Sequence, residues 1–475
     1  MSHRVYNKIL VYGTVIFLLC LVDNTSIATQ LSGGNDSPTF NLLIITPQEF
    51  AKEFDRFAEH KEKYGVKTKI VTLTEVNEQM FWQGRDQPEK IKYFIKKAYD
   101  EWGISYVLLI GGIKNQLSKD EQYWLPVRYC YLEERWGAMA RYKENRFISD
   151  LYYADIYDSK GNFSSWDTDN DGFFGEWFGN NSAEDVLDLH PEVYVGRLPC
   201  VNRFEVKIMV NKIINYEKTK ADDSWFKKMV VVAGDSYVGD ADVYGGNEPE
   251  AEIETQMALD QMPGFEPIKL WTSLKTFTGP LDVIRAINKG CGFCYFDCHG
   301  CPSAFSDHPP NSTEWIAGLS NYNIPFLRNR NKLPVCVNMG CFCSLFNVSI
   351  AHTTWNGKRP CYECLNWRLT HKINGGCIAT IGNTALSLIT EDKLDPTKGG
   401  GDGELIMLFF REYGINNTRI LGECFGKAID NYLLAHPINW NENSYNDSAI
   451  DAKIVEKLVL FGDPSLKIGG YDKNI

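Results

Sequence analysis

Long runs of positive charge are missing from this chain of 475 residues, in which 61 acidic side chains outnumber 49 basic ones for a net charge of −12. Nucleic-acid backbones are held by clustered lysine and arginine, so this balance excludes nucleic acid as the partner. Internal repeats and low-complexity tracts are also missing, which removes the solenoid, fibrous and disordered classes. Past the N-terminus no apolar run approaches the ~20 residues that cross a bilayer. What is present is 44% hydrophobic and 23% charged residues, an ordinary globular mixture. Nothing in it calls for an organic cofactor.

The N-terminus reads as an address. Arg4 and Lys8 precede an uncharged run from Ile9 to Val22, and Ser26-Ile27-Ala28 offers small residues for cleavage. Residues 1–28 are therefore expected to be a signal peptide, and the chain secreted or displayed at the cell surface. A retained leader acting as an anchor is the alternative, and the only membrane contact foreseen. Fourteen cysteines in an exported chain invite disulfides, and discarding Cys20 leaves thirteen, so at least one thiol stays free or pairs between molecules. Zinc at the CxxC pairs is disfavoured, because Cys291 and Cys294 read as strand residues on opposite faces. Asparagine sequons at 35, 162, 180, 311, 347, 416 and 446 matter only in a glycosylating host.

Strand and helix patterns alternate. Asn41–Ile45 is an apolar strand, Thr46-Pro47-Gln48-Glu49 has the form of a capping box, and Phe50, Phe54 and Phe57 follow at helical spacing. Continuous apolar strands between helices indicate a mainly parallel sheet covered on both faces. The regularity fails from about Tyr123 to Asp188, a stretch rich in Tyr, Trp, Asp, Asn and Gly, and restarts after the polar seam Ala221–Ser224. The expected class is α/β, with two three-layer α/β/α subdomains side by side. Their bounds are 40–222 and 223–470, preceded by a short linker over 29–39 and followed by a tail over 471–475.

Ligands of open parallel sheets collect at the carboxyl ends of strands. In the second half Phe293–Asp297 runs into Cys298-His299-Gly300, Leu333–Met339 into Gly340-Cys341, and Met229–Ala233 into Gly234-Asp235. Thiol, imidazole and carboxylate on one rim are the parts of a nucleophilic cysteine site. Cys341 would attack a carbonyl and His299 would protonate the leaving amine. The backbone N–H groups of Gly300 and Cys341 would hold the oxyanion. Asp235 would orient the imidazole, although Asp297 is also near in sequence. Cys336 is mid-strand and Cys343 two residues too late, which favours Cys341.

A second motif, Asp167-Thr168-Asp169-Asn170-Asp171-Gly172, sets carboxylates at alternate positions before a glycine, the first half of a calcium loop. Asp167, Asp169 and Asp171, the Phe173 carbonyl and Glu176 are the expected ligands, with Asp185 or Asp188 as other closing groups. A structural calcium ion ordering the irregular stretch is the expected cofactor.

The stretches YVLLIGG (106–112), EVYVGRLP (192–199), FDCHG (296–300), GCFCSLF (340–346) and LFGDPSL (460–466), in this order, resemble the gingipain-type cysteine peptidases, relatives of the caspase-like proteases. The resemblance covers roughly residues 40–468 and implies a caspase-like catalytic subdomain, polypeptide substrates and an endopeptidase working through a thioester. It implies His299 and Cys341 as the dyad, Asp235 as the supporting acid, and Glu252 as the acid that binds a basic side chain before the scissile bond. A phenylalanine five residues after the nucleophile, Phe346, fits Cys341. Cys298 stands where the family has glycine, and Cys301 follows the His-Gly pair. The alternatives are a silent surface or assembly protein with its thiols locked in disulfides, and a transpeptidase using the same dyad.

Overall fold

Leu42–Thr46 (β1) is buried at all five positions, which only a strand with neighbours on both sides and layers on both faces can satisfy. This computed structural model describes residues 39–472 apart from 119, 141–142, 219, 239–248, 352–360 and 389–399. The expected leader with Cys20, the sequon at Asn35 and the end of the tail fall outside those residues. Nine further strands share the sheet: Thr68–Thr72 (β2), Tyr106–Ile110 (β3), Tyr194–Leu198 (β4), Lys228–Ala233 (β5), Glu266–Trp271 (β6), Phe293–Asp297 (β7), Val335–Asn338 (β8), Ala379–Asn383 (β9) and Leu458–Phe461 (β10). Their order is β6-β5-β7-β8-β9-β10-β4-β3-β1-β2.

The α/β class is as expected, with helices flanking a mostly parallel sheet. The two expected subdomains, however, are halves of one ten-stranded sheet within a compact unit, Pro38–Ile475. The join is β10, antiparallel to β9 (Thr380 opposite Phe461) and parallel to β4 (Phe461 opposite Arg197). The two blocks of parallel strands therefore run in opposite directions. The carboxyl rim of β5, β7 and β8 belongs to the second block alone. The seam near 222 survives as Asp222, whose side chain caps the short helix Asp223–Phe226 before β5.

Local signals explain most boundaries. Phe54 and Phe57 are buried beside the helix Asp55–Lys63, but Thr46 ends β1 instead of capping a helix. The capping box lies one strand later, where Thr72 and Glu75 bond reciprocally at the start of Leu73–Gln79. The helix Gln87–Trp102 is capped by Asp86 and ends at Gly103 in the left-handed region. In the irregular stretch the fully buried rings of Tyr152, Tyr153, Trp166 and Trp177 replace helical packing. Lys92 lies 4.3 Å above Tyr152.

Three of the recognisable motifs are structural staples. Arg197 of EVYVGRLP makes a two-pronged pair with Asp150 (2.6 and 2.7 Å) and donates to the Gly111 carbonyl of YVLLIGG (2.9 Å). Asp463 of LFGDPSL lies 2.5 Å from the buried ammonium of Lys61, which also holds Glu217 at 2.8 Å. The two carboxylates raise the Lys61 pKa, so its charge is secure in the interior. Lys61→Met would leave Asp463 buried without its cation and Glu217 with His60 alone (3.0 Å), and urea unfolding should show a loss of about 3–5 kcal/mol. A change within about 0.5 kcal/mol, the range of a surface substitution, would contradict this account.

Candidate active site

β7 lies between β5 and β8, so the three strand ends singled out in the sequence meet at one rim. Beyond β7 the chain enters a three-stranded antiparallel sheet, His299–Cys301, Ala304–Asp307 and Ile316–Ser320. Gly300 and Gly340 touch where the two loops cross. A Cβ on Gly300 would lie 2.5 Å from Gly340 carbons and 2.7 Å from the Cys341 nitrogen. No side chain fits there, and the contact brings His299 and Cys341 to a common cavity. That cavity, of about 60 Å³, is lined by Ser236, Tyr237, Glu250, Glu254, Asp297, His299, Cys341 and Ser387 among others. A wider groove of about 910 Å³ is lined by residues of the hairpin sheet, including Ser306 and Gly318, together with Trp315, Tyr322 and Arg368.

His299 is half-buried, and its Nε2 is 2.7 Å from the Ser236 carbonyl oxygen. A carbonyl only accepts, so Nε2 carries the proton and Nδ1 is the bare nitrogen. Burial lowers the imidazole pKa, and the Ser236 carbonyl opposes this only in part. Burial and the nearby His308 together favour the neutral ring. Ser236 is itself held from two sides. Its N–H and that of Tyr237 donate to Glu250 (2.5 and 3.0 Å), and its hydroxyl donates to Asp307 (3.1 Å).

Asp235 does not make the orienting contact expected of it. Its carboxylate accepts from the Asn311 N–H at 3.2 Å, and its own N–H donates to the His308 carbonyl at 2.9 Å. The neighbouring main-chain carbonyl faces the imidazole instead, which sequence alone did not signal.

Cys341 is half-buried, and its sulfur accepts from the Ser387 N–H at 3.3 Å. Burial pushes the thiol up to about 11 while that N–H opposes it. The rival thiols are elsewhere. Cys343 is buried with its sulfur 3.5 Å from the Cys301 carbonyl, and Cys336 is buried inside β8. Phe346 packs under the Arg197 guanidinium at 5.1 Å, away from the cavity lining. Asp402, absent from the sequence reading, anchors the loop that carries Ser387. It accepts from Asn383 Nδ2 (3.2 Å), Ser387 Oγ (2.8 Å) and Leu388 N (3.0 Å), and pairs with Lys457.

Glu252 is turned from the cavity. On the helix Glu250–Asp260 its buried carboxylate accepts from Thr272 Oγ1 (3.2 Å), the Ser273 N–H (2.9 Å) and the Ser273 hydroxyl. Glu250 and Glu254, four residues apart and thus on one helical face, line the cavity instead. Glu254 hydrogen-bonds Asp297, and burial pushes the carboxyls of Asp297 and Glu250 each up to about 7. The i, i+4 acidic spacing after a strand was a legible signal for this pair.

The thirteen cysteines among the described residues are all free thiols. Cys291 precedes β7 and is not in it, so strand alternation does not separate it from Cys294, and their sulfurs lie 3.5 Å apart. In the acidic loop, oxygens of Asp167, Asp169 and Asp185 lie within 4.8 Å of one another. Asp171 turns outward to accept from the Phe173 N–H (2.8 Å), and Asp167 pairs with Arg85 at 2.6 Å, a partner the motif did not reveal. The Glu176 carboxyl, crowded by Glu184, Asp171, Asp185 and Asp169, is pushed up to about 7, with burial the largest cause.

The sequence profile of peptidase family C25 matches residues 35–469. Gingipain R2 of Porphyromonas gingivalis is 20% identical over 447 residues, 93% of this chain and 47% of that protein. A Lys-gingipain of the same organism is 25% identical over 207 residues, 43% of this chain and 10% of that protein. The chain thus spans about half the length of gingipain R2, and less of the Lys-gingipain. The crystal structure of the Arg-specific cysteine proteinase gingipain R superposes with a TM-score of 0.59 at 18% identity, covering 91% of this chain and 79% of that one. The shared fold is caspase-like.

The neutral imidazole can be checked directly. The ring protons of His299, followed by NMR in the full chain, should titrate below the ordinary imidazole value near 6.5. Titration at or above about 7 would mean that a carboxylate, and not a carbonyl, holds the ring.

Proposed function

The chain belongs to peptidase family C25, and on that premise we propose that it is a secreted or cell-surface cysteine endopeptidase in which Cys341 is the nucleophile and His299 the acid–base group. The observation that carries this reading is the Gly300–Gly340 contact, which sets both side chains on one cavity. With the thiol held up and the imidazole held down, the resting pair is neutral. Nδ1 of His299 then takes the proton as the sulfur adds to the carbonyl, in place of a preformed ion pair. The Ser387 N–H steadies charge on sulfur. The N–H groups of Gly300 and Cys341 receive the oxyanion, each worth about 3 kcal/mol if aimed at it. Collapse of the tetrahedral adduct passes the proton from His299 to the leaving amine, and water returns through the same base to hydrolyse the thioester.

Glu254 and Asp297, with Glu250 beside them, form the acidic wall of the cavity. Two carboxyls in contact share a proton when alone, and an incoming guanidinium or ammonium would let both ionise. This supports cleavage after arginine or lysine, with Glu254 and Asp297 in the part that the family resemblance implied for Glu252. The groove along the hairpin sheet would take the extended peptide. Among the described residues no helix is long and apolar enough to cross a membrane. The silent-scaffold alternative needs a locked nucleophile, whereas the Cys341 thiol is free.

Calcium belongs to the same proposal. Asp167, Asp169 and Asp185 converge, Glu176 is crowded by the same charges, and Arg85 offsets one of them. A divalent cation held by oxygen ligands would relieve the rest.

Two experiments test these readings. Digestion of a peptide library should give cuts after Arg and Lys. Cys341→Ala should abolish it, and Glu254→Gln should cut kcat/KM on basic substrates by about 10²-fold, the loss of a buried charge pair. Undiminished cleavage by Cys341→Ala would reject the nucleophile. Calcium at a hundredfold excess over Kd should stabilise the chain by about 2.7 kcal/mol in thermal unfolding, an increment that Asp169→Asn should lose. Equal unfolding with calcium and with chelator would reject the ion.

A further inference from the structure

The hairpin that presents His299 brings two more ligating groups to the same place. His299 stands opposite Ser306 in the antiparallel register, so Asp307 and His308 follow at once on the neighbouring strand. A ring nitrogen of each histidine and a carboxylate oxygen of Asp307 lie within 4.8 Å of one another. None of the three is explained by packing alone. Nδ1 of His308 is buried with no hydrogen-bond partner, and the residue is only 9% exposed. Buried ring nitrogens ordinarily have partners. Asp307 is 0% exposed, and the bonds it accepts come from the Ser236 hydroxyl, the His308 N–H and the Cys298 thiol. Its ion-pair neighbour among the described residues is His308 itself, at 4.0 Å. Trp315 packs on both imidazoles, 3.8 Å from His308 and 5.3 Å from His299 between ring centres, and shields them on one side.

We propose that His299, Asp307 and His308 form a zinc site that switches the peptidase off. Two imidazoles and one carboxylate, with a fourth position left to water, are a donor set that suits zinc and does not suit calcium or magnesium. Bonds of about 2.0–2.2 Å place tetrahedral donors about 3.4 Å apart, so the three groups close on the ion by side-chain rotation. Asp307 binds as the carboxylate, releasing any proton it holds to solvent. The regulatory half rests on the dyad proposed above: with one His299 nitrogen on zinc and the ring proton on the other, no lone pair remains to take the thiol proton. The binding half does not need catalysis.

Binding is therefore read in the full chain carrying Cys341→Ala, by titration with cobalt(II) followed by its visible absorption and by calorimetry with zinc chloride. One equivalent is expected. His308→Ala and Asp307→Asn should each weaken binding at least tenfold. His308→Gln replaces His308→Ala if the latter loses its far-UV circular dichroism. Absence of binding, or equal binding by the His308 variants, overturns the site. Zinc should inhibit peptide cleavage by the unmodified chain at the concentration that half-saturates it, and saturation without inhibition overturns the switch. A chain that binds zinc but never cleaves peptides would reject the peptidase reading and leave the site standing.

Discussion

Two glycines in contact carry the rest of this structure. Gly300 lies in the hairpin strand His299–Cys301 that follows one sheet strand and Gly340 opens the turn after its neighbour, and their backbones approach so closely that a methyl group on either would collide. Adjacent parallel strands sit ~4.8 Å apart, and loops leaving them normally diverge to make room for side chains. Here they converge, and the residues next to the glycines, His299 and Cys341, inherit that convergence. The sheet beneath is the support: β7 and β8 are in register from Phe293 opposite Val335 to Phe296 opposite Asn338.

The electrostatics around that contact are those of a buried site with few formal charges. The ring is oriented by a carbonyl, the thiol by an N–H, and the loops that supply them are tied by Glu250, Asp307 and Asp402. A carbonyl dipole stabilises imidazolium less than a carboxylate would, in keeping with the lowered pKa of the buried ring. In the proposed mechanism the thiol loses its proton as it attacks. Burial pushes the carboxyls of Asp297 and Glu250 on the cavity wall each up to about 7.

Much of this was legible in the residues. Continuous apolar strands showed the α/β class, and the order of strand ends pointed to Cys341 and His299. Reading failed where the third dimension chooses between neighbours. Asp235 and Ser236 are adjacent, and only the bend after β5 decides which of them faces the ring. Glu252 and Glu254 are two apart, and helical phase turns one to the Thr272–Ser273 loop and the other to the cavity. The single sheet was hidden because its join rests on four residues, Leu458–Phe461, that run against their neighbour. Asp402 gave no local sign, since its part is to hold a loop distant in sequence.

Whether one sulfur and one imidazole share one cleft is decided by a crystal structure of the full chain after reaction with a peptidyl chloromethyl ketone ending in arginine. A thioether on Cys341 Sγ is expected, with His299 Nε2 still bonded to the Ser236 carbonyl and the arginine side chain against Glu254 and Asp297. An adduct on Cys301 or Cys343, or a His299 ring turned out of the cavity, would contradict it.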